Sequence, residues 1–322
     1  LLLNNDMNNN LHVFLGATVA DAAARPLHWI YNQKKLKSYI KKKKDFSFFQ
    51  NNKSPFYSIK TGNVSGYNDV GQVMLKTLSL GNYDIEKRFN KNLKIHFGPG
   101  SMYWKNYNAR SKYRKIKDWR GIIKGPWIHQ NIINTLLNLN KNKKISGGKK
   151  VHESDGFCAA LPFFLYKDSL KGLKKIISLV CSSKISIKYG LAKFHLIDMA
   201  LKGVKDPIST FNKKYKKNIY FKEVVKGIRK VKKMKSKHHN TVVKILGMSC
   251  RYPGTFLSSI HAIIKAKNYK EAVLMTIKAG GCNCSRANFV GSFLSAQNGG
   301  RGIPKSWISK CKHSSFISIL GK

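Results

Sequence analysis

Hydrophobic residues recur along this chain at the spacing of α-helices. Between residues 189 and 202 they lie three or four positions apart, which places them on one helix face. A second helical run follows Pro253, with Thr255 as its predicted N-cap. Two more helices are predicted over residues 269–279 and 286–298, the latter capped by Ser285, and a Gly-Gly pair follows each.

The alternating pattern of half-buried strands is rare, and neither an internal repeat nor a long linker divides the chain. We therefore predict an all-α fold, a single compact multi-helix domain over residues 11–322. The Asn-rich residues 1–10 are predicted to be a disordered extension. No apolar stretch reaches about 20 residues, and the apolar run that contains Asp21 lacks a basic flank. We expect an intracellular, cytoplasmic protein with no signal peptide or transmembrane segment.

Residues 213–237 combine many lysines with an apolar stripe that includes Val224, Ile228, Val231 and Met234. Such a helix could bind a membrane surface or calmodulin. The alternative, which we favour, is a core helix whose other face is solvated.

The charge balance is strongly basic, with 61 Lys and Arg against 14 Asp and Glu, a net charge of +47 in 322 residues. Nucleic-acid binding is therefore possible. However, only nine of the basic residues are arginine, the residue that base and phosphate recognition favours. Because Lys and Asn have A-rich codons, compositional drift explains the charge better. A hydrophobic content of 42% excludes a disordered basic tail.

Four segments are poor in lysine and rich in small residues: 15–31, 62–75, 151–164 and 252–307. Three of them carry an acid that is a candidate for a functional site. Asp21 either pairs with Arg25, four residues on, or has a functional role. Asp69 and Asp155 are candidate site residues, with plain helix capping as the alternative for each.

The fourth segment contains Gly280-Gly281-Cys282-Asn283-Cys284-Ser285. A Gly-Gly turn that opens a helix offers N–H groups to an anion such as a diphosphate. The two thiols suggest redox or soft-metal chemistry, but two thiols do not complete a zinc site, and Cys250 is a speculative third ligand. Six cysteines in a chain of this length do not form a disulfide scaffold.

Several strings in these segments resemble the ADP-ribosylglycohydrolase superfamily, and more closely its branch of jellyfish J1 crystallins and selenoprotein J. The strings are GATVADAAARPLHWIY (16–31), YNDVGQVML (67–75), GPW (125–127), YPGTF (252–256) and AGGCNCSRANFVGSFLSAQNGGRGIPKSW (279–307). The resemblance implies an all-α fold around a central cleft. In catalytic members, it further implies two Mg²⁺ ions held by carboxylates, which bind the ribose and a water.

Only part of the catalytic pattern is present. Asp21 matches the family's N-terminal Asp, and Asp69 matches the first Asp of its Thr-Asp-Asp-Thr motif, so these two are the catalytic candidates. Val70 and Gly71 replace the next two residues of that motif. His28 stands where the family usually has Glu.

The C-terminal motif departs further, because Cys282 and Cys284 stand at the positions of two aspartates. Neutral thiols are poor Mg²⁺ ligands. Asp69 is then the one metal ligand that remains, unless Glu153 or Asp155 joins a reorganised site. The resemblance implies Mg²⁺, and these replacements argue against it.

The resemblance therefore predicts a family member with a degraded two-Mg²⁺ site that is inactive or atypical and keeps its cleft. One alternative is an active hydrolase that cleaves the N- or O-glycosidic bond of ADP-ribose adducts; the other is a basic nucleic-acid-binding protein. Expected partners are ADP-ribose or an ADP-ribosylated protein. Ligand binding is assigned to His28, Asn68, Asp155, Gly280, Gly281, Asn283 and Ser285, the last of which replaces the motif's Thr.

Overall fold

The computed structural model describes residues 10–81, 84–113, 121–165, 170 and 172–319. Residues 1–9 of the predicted extension lie outside the described part. Within it the chain forms seventeen α-helices, two 3₁₀ helices and one parallel pair of two-residue strands, β1 (Tyr57–Ser58) and β2 (Ile123–Lys124). The predicted all-α fold is confirmed.

The helices follow one another along the whole described chain. The first eight are α1 (Leu11–Ala24), α2 (Gln33–Ile40), α3 (Gly66–Leu78), α4 (Ile85–Phe97), α5 (Met102–Tyr113), α6 (Gln130–Asn140), α7 (Asp155–Ala160) and α8 (Leu173–Ser178). The other nine are α9 (Lys184–Leu201), α10 (Pro207–Lys214), α11 (Lys222–Lys232), α12 (His239–Leu246), α13 (Gly254–Lys265), α14 (Tyr269–Lys278), α15 (Asn283–Gln297), α16 (Lys305–Lys310) and α17 (Ser314–Ile319). The 3₁₀ helices, Arg25–Leu27 and Leu161–Leu165, directly follow α1 and α7.

Two helices, α1 and α15, form the centre of the fold. Residues 283–296 of α15 are all buried, as are twelve of the fourteen residues of α1. Neither helix has one apolar stripe; apolar and small residues surround both, as expected for helices covered on every side. The pair is enclosed mainly by α9, α13 and α14, which pack against α15, and by α14, α16 and α17, which contact α1.

Two glycines allow α1 and α15 to touch at their backbones. A Cβ atom on Gly16 would lie 2.6 Å from the carbonyl oxygen of Gly291, and one on Gly291 would lie 2.6 Å from the Cβ of Ala20. Both distances are too short for carbon or oxygen neighbours, so only glycine fits. The Gly16 carbonyl also accepts a hydrogen bond from the Tyr269 hydroxyl at 2.6 Å, which ties α14 to the same crossing.

Two predicted helix caps are wrong, one by two residues and the other by three. The N-cap of α13 is Pro253, so Thr255 lies inside the helix. The N-cap of α15 is Cys282, so Ser285 lies in the first turn of that helix. The hydroxyl of Ser285 donates to the Cys282 carbonyl at 2.9 Å and lies 3.0 Å from that of Thr255. Both hydroxyls therefore join the two helices instead of capping them.

The lysine-rich helix α11 packs against the core. Val224, Ile228 and Val231 are buried there, and the lysines of this helix are exposed. The interpretation as a core helix with a solvated face is confirmed. Among the described residues, no helix combines the length and the apolar character needed to cross a bilayer.

The crossing of α1 and α15 predicts that Gly291→Ala destabilises the protein. The added methyl group has no room against Ala20, so the two helices must separate, at a cost of about 1–3 kcal/mol. Urea unfolding measures the loss. Gly302→Ala is the matched control, because a Cβ atom there would have its nearest neighbour at 3.5 Å. Equal stability of the two variants would contradict this account of the crossing.

Candidate functional site

A cavity of about 280 Å³ with mainly aromatic walls opens beside the start of α6. We call it the aromatic cleft. Its rings belong to Trp29, Tyr31, Phe56, Tyr67 and Trp127. Its polar side chains belong to Arg110, His129, Gln130, Glu153 and Cys250. These residues come from segments far apart in sequence, so the cleft exists only in the folded chain.

Three rings form a mutually supporting wall of the cleft. The centroid of Trp29 lies 5.6 Å from that of Phe56 and 5.5 Å from that of Trp127, and the latter two are 5.9 Å apart, all edge to face. The Arg110 guanidinium lies 4.1 Å above the Trp127 ring as a cation–π contact. Trp29 has a left-handed backbone, with φ of 63°, which is uncommon for a large residue. Its conformation is held by an N–H bond to the Gly281 carbonyl at 2.9 Å.

Asp21 is fully buried and does not use the predicted partner Arg25 for hydrogen bonding. Its Oδ1 accepts the Ser65 N–H at 2.6 Å, and its Oδ2 accepts the Ser65 hydroxyl and the Asn288 amide, both at 2.7 Å. The Arg25 guanidinium donates to Asn52 at 2.8 Å and to two backbone carbonyls. Burial raises the pKa of Asp21 to about 6, against the hydrogen bonds from Ser65 and Asn288 that lower it.

The Asp21 contacts continue into a buried amide chain. The Asn68 side-chain amide donates to the side-chain oxygen of Asn288 at 2.9 Å. The Gln72 amide donates to the Asn68 side chain at 2.9 Å and to the Thr18 hydroxyl at 3.3 Å. Asn68 therefore links α3 with α15, Gln72 links α3 with α1, and Asn68 lies within this network rather than in the aromatic cleft.

Asp69 lies in the first turn of α3, whose N-cap is Ser65, so the alternative that Asp69 is the cap is wrong. One oxygen of its carboxylate, Oδ2, accepts the Tyr103 hydroxyl at 2.5 Å and His96 Nε2 at 2.9 Å. Burial opposes ionisation of Asp69, but its bond to His96 and the histidine's charge hold its pKa below the usual value. Asp69 therefore forms an ion pair with His96 near the surface.

His28 joins the floor of the cleft to the start of α15. Its Nε2 lies 3.4 Å from the sulfur of Cys282, and its Nδ1 lies 3.0 Å from the Tyr57 hydroxyl. Its ring stacks on Trp29 with centroids 4.3 Å apart. Cys284 lies deeper, with its sulfur 3.9 Å from the Asp21 carbonyl oxygen. All of these groups except Trp29 are fully or almost fully buried.

Asp155 lies behind the cleft and forms a hydrogen bond with His129, one of the residues that line it. Its N-terminal neighbour is the N-cap of α7, so Asp155 is the first residue of that helix and does not cap it. It accepts His129 Nδ1 at 2.6 Å and the Asn131 amide at 2.8 Å. Burial acts to lower the pKa of His129, but the charge of Asp155 raises it above the usual value. Glu153 faces the cleft, and burial together with Asp155 raises its pKa to about 7.

The Gly-Gly turn does not offer free N–H groups, which corrects the expected anion site. The N–H groups of Gly280, Gly281 and Cys282 donate to protein carbonyls at 3.0, 2.8 and 2.8 Å. The Asn283 amide donates to the Leu27 carbonyl at 3.1 Å. These bonds fasten the start of α15 to the segment after α1 and to the segment before α13.

The residues predicted for the site thus lie mainly behind the wall of the cleft. Of the residues discussed individually from sequence, Glu153 and Cys250 line it. Trp29 and Trp127 belong to strings that carry the family resemblance. Phe56 and Arg110 were missed, because no local pattern marks them and only the packing of distant segments brings them to the cleft. In the part of the chain that the structure describes, no three His, Cys, Asp or Glu side chains are grouped to hold a metal ion.

A family model described as ADP-ribosylglycohydrolase matches residues 5–321. The chain belongs to the ADP-ribosylglycohydrolase family. Within it, the chain is 26% identical over 307 residues to Crystallin J1A of Tripedalia cystophora, covering 94% of this chain and 92% of that protein. It is 25% identical to Crystallin J1B of the same organism, covering 92% and 89%. The resemblance to the ADP-ribosylglycohydrolases and J1 crystallins is confirmed.

A solved structure titled ADP-ribosylglycohydrolase-related protein complex has the same fold. It superposes with a TM-score of 0.60 at 13% sequence identity, covering 97% of this chain and 95% of that chain. At this identity the likeness extends to the architecture alone. It agrees with the all-α fold of this ADP-ribosylglycohydrolase family member.

The Asp69–His96 pair predicts the titration of His96. Burial acts to lower the pKa of His96, but the bond and charge of Asp69 raise it above its usual value. Asp69→Asn removes that charge and should lower the His96 pKa, measured by NMR of its ring protons. Asp198→Asn, which removes a carboxylate paired with Lys202 on α9, should leave it unchanged. A His96 titration unaffected by Asp69→Asn would show that the pair does not form in solution.

Lys193 is a fully buried cation close to the start of α7. Its ammonium donates to the Ser154 hydroxyl at 3.0 Å and lies 4.5 Å from the ring centroid of Phe157 and 4.9 Å from that of Tyr252. Burial lowers its pKa to about 7. The folded protein therefore releases this proton at lower pH than the unfolded chain, and its stability rises between those two pKa values.

This shift predicts a pH-dependent effect of Lys193→Met. Below about pH 7 Lys193 is protonated in its buried site, and the wild type is destabilised by the full amount that corresponds to its lowered pKa. The variant has no ionisable group there and is not destabilised in this way. The stability difference, variant minus wild type, should fall by at most about 1.4 kcal/mol per pH unit from pH 7 towards pH 10. Chemical unfolding at several pH values measures it, with the exposed Lys184→Met as control. A difference that is flat with pH would contradict the shift.

Proposed function

We propose that this chain is an atypical member of the ADP-ribosylglycohydrolase family, which binds a ligand of the ADP-ribose type in the aromatic cleft without the family's two-Mg²⁺ chemistry. The observation that carries the proposal is the chemistry of the side chains at the positions that the resemblance matches with metal-binding acids, because two of them, Cys282 and Cys284, are thiols. The hydrogen bonds of the remaining carboxylates support it.

Both matched carboxylates are engaged by protein hydrogen-bond donors. Asp21 accepts three hydrogen bonds at 2.6–2.7 Å, two from Ser65 and one from Asn288. Asp69 accepts two on one oxygen, from Tyr103 and from His96, whose pKa this pairing raises. Mg²⁺ needs about six oxygen ligands in near-octahedral geometry. Recruiting Asp21 would break the bonds that hold α1, α3 and α15 together, and recruiting Asp69 would break its bonds to α4 and α5. These carboxylates therefore do not fit two Mg²⁺ ions.

The thiols add to the misfit. Cys282 and Cys284 are fully buried, and sulfur is a soft ligand that Mg²⁺ does not favour. Burial raises the pKa of Cys284 well above its usual value, so this thiol is neutral. A neutral thiol beside Asp21 supplies none of the negative charge that a pair of divalent cations requires.

The cleft itself suits a flat ring. Its rings offer faces and edges to an aromatic ligand, and stacking on such a wall contributes about 1–3 kcal/mol. Its volume, about 280 Å³, is just below the range of roughly 300–1,000 Å³ for drug-sized ligands. It therefore suits one part of an ADP-ribose group, with the remainder extending to solvent.

The proposal predicts that ADP-ribose binds equally with Mg²⁺ and with EDTA, measured by isothermal titration calorimetry. Trp127→Ala should weaken binding roughly five- to 150-fold, because it removes a stacking surface. Trp104→Ala is the matched control, since Trp104 lies on α5 and does not line the cleft. Binding that requires Mg²⁺, together with Mg²⁺-dependent release of ADP-ribose from a modified protein, would overturn the proposal.

A gain-of-function variant tests the same positions from the other direction. Cys282→Asp combined with Cys284→Asp restores the two acids, and Mg²⁺ should then raise the thermal stability of the variant where it leaves the wild type unchanged. A variant that folds but does not respond to Mg²⁺ would place the difference from catalytic relatives elsewhere, for example at Val70 and Gly71.

A hydrolase without Mg²⁺ is the second candidate, and Glu153 favours it. This carboxyl faces the cleft with its pKa raised to about 7, the range of a general acid at neutral pH. Release of ADP-ribose in EDTA that is lost in Glu153→Gln would select this candidate. The nucleic-acid alternative stays a prediction; it requires binding that falls steeply with salt and is indifferent to Trp127→Ala.

A further inference from the structure

Two cysteines distant in sequence meet at the floor of the aromatic cleft. Cys250 is partly exposed and lines the cleft, whereas Cys282 lies directly behind it and is fully buried. The Cys282 N–H donates to the Met248 carbonyl at 2.8 Å, which fixes the segment of Cys250 against the start of α15. We call Cys250 and Cys282 the cleft thiol pair.

The two thiols are neighbours, and other polar groups surround them. Each thiol shifts the pKa of the other, and the Tyr67 hydroxyl, which belongs to a ring of the cleft, lies 3.5 Å from the Cys282 sulfur. His28 Nε2 lies 3.4 Å from the Cys282 sulfur. Neighbouring thiols on two segments that the backbone holds together are candidates for a disulfide.

The protonation of the pair favours reaction. Burial acts to raise the pKa of Cys282, but the bond from Cys250 and the contacts with His28 lower it well below its usual value. The pKa of Cys250 is raised, mainly by its bond to Cys282 and by burial. The pair therefore combines an accessible thiol, Cys250, which meets the oxidant, with a sulfur that carries negative charge readily, Cys282, which is the nucleophile in the disulfide-forming step.

We propose that the cleft thiol pair is an oxidation site, which a hydroperoxide entering the aromatic cleft converts to a Cys250–Cys282 disulfide. The proposal does not depend on ADP-ribose binding. It assigns to the cleft a second class of reactant, small enough to pass the aromatic rings and reach the Cys250 sulfur.

The reaction takes place in two balanced steps. The Cys250 sulfur attacks one oxygen of the hydroperoxide, so an S–O bond forms, the O–O bond breaks, and the thiol proton leaves with the other oxygen as water or alcohol. Cys250 is then a sulfenic acid, oxidised by two electrons, and the peroxide is reduced. The Cys282 thiolate attacks the Cys250 sulfur, an S–S bond forms, and the hydroxide that leaves takes a proton from solvent and becomes a second water.

The other buried thiols are placed differently. Cys158, Cys181 and Cys284 are fully buried, and burial raises the pKa of each well above its usual value. None of them lines the aromatic cleft. In the cleft pair, Cys250 supplies the access and Cys282 the thiolate character that cysteine oxidation needs, so oxidation should be selective for this pair.

The experiment treats the folded full-length protein with hydrogen peroxide, blocks remaining thiols by alkylation after unfolding, and maps the peptides by mass spectrometry. We expect a cross-linked Cys250–Cys282 peptide, with the loss of two hydrogen atoms in the intact mass and reversal by dithiothreitol. Cys250→Ser should abolish the cross-link. Cys282→Ser should instead leave a Cys250 sulfenic acid that dimedone traps, because the resolving thiol is gone.

Cys311→Ser is the matched control, because Cys311 is buried near the C-terminal end of the described chain and should not alter the cross-link. Circular dichroism confirms that each variant is folded before oxidation. The proposal is overturned if peroxide leaves both cleft cysteines open to alkylation, if the cross-link joins a different pair, or if folded Cys282→Ser gives no dimedone adduct at Cys250.

Discussion

The buried carboxylate of Asp21 joins three helices, and the centre of the fold depends on it. Asp21 belongs to α1, and it accepts hydrogen bonds from Ser65 at the start of α3 and from Asn288 on α15. An ionised group at this depth costs stability, because its pKa of about 6 lies above the unfolded value. The folded state therefore loses stability as the pH rises from the unfolded pKa of Asp21 to about 6. Removing one partner would leave the charge uncompensated, so the three helices are fixed together.

The hydrogen bonds of Asp21 limit which neighbouring groups remain available for other contacts. Hydrogen bonds continue from Asn288 to Asn68 and Gln72, so the side chains of this network find their partners within the protein. The aromatic cleft lies on the outer side of this network, and His28 and His129 form the boundary. The cleft is thereby separated from the buried Asp21, whereas in a two-Mg²⁺ site the acids themselves would face the ligand.

The sequence was sufficient for the all-α fold class, for several individual helices and for the family, because each of these leaves a local pattern or a matching string. It misplaced Ser285 and Thr255 as caps, since a hydroxyl near a helix start serves equally well as a bond between helices. It also expected free N–H groups at the Gly-Gly turn, whose acceptors come from remote segments. Phe56 and Arg110 could not be found, because a cleft built from distant segments depends on tertiary packing that no local periodicity encodes.

The two cysteines that the family resemblance matches with aspartates have different surroundings. A carboxylate at 284 would stand against α1 beside Asp21, and two buried negative charges at that spacing would need a cation between them. The thiol of Cys284, whose pKa burial raises, does not create that need, and Asp21 is held by the hydrogen bonds from Ser65 and Asn288. Cys282 instead contacts His28 and lies next to Cys250 at the cleft floor. A thiol therefore avoids a second buried charge at one position and lies directly behind the cleft at the other.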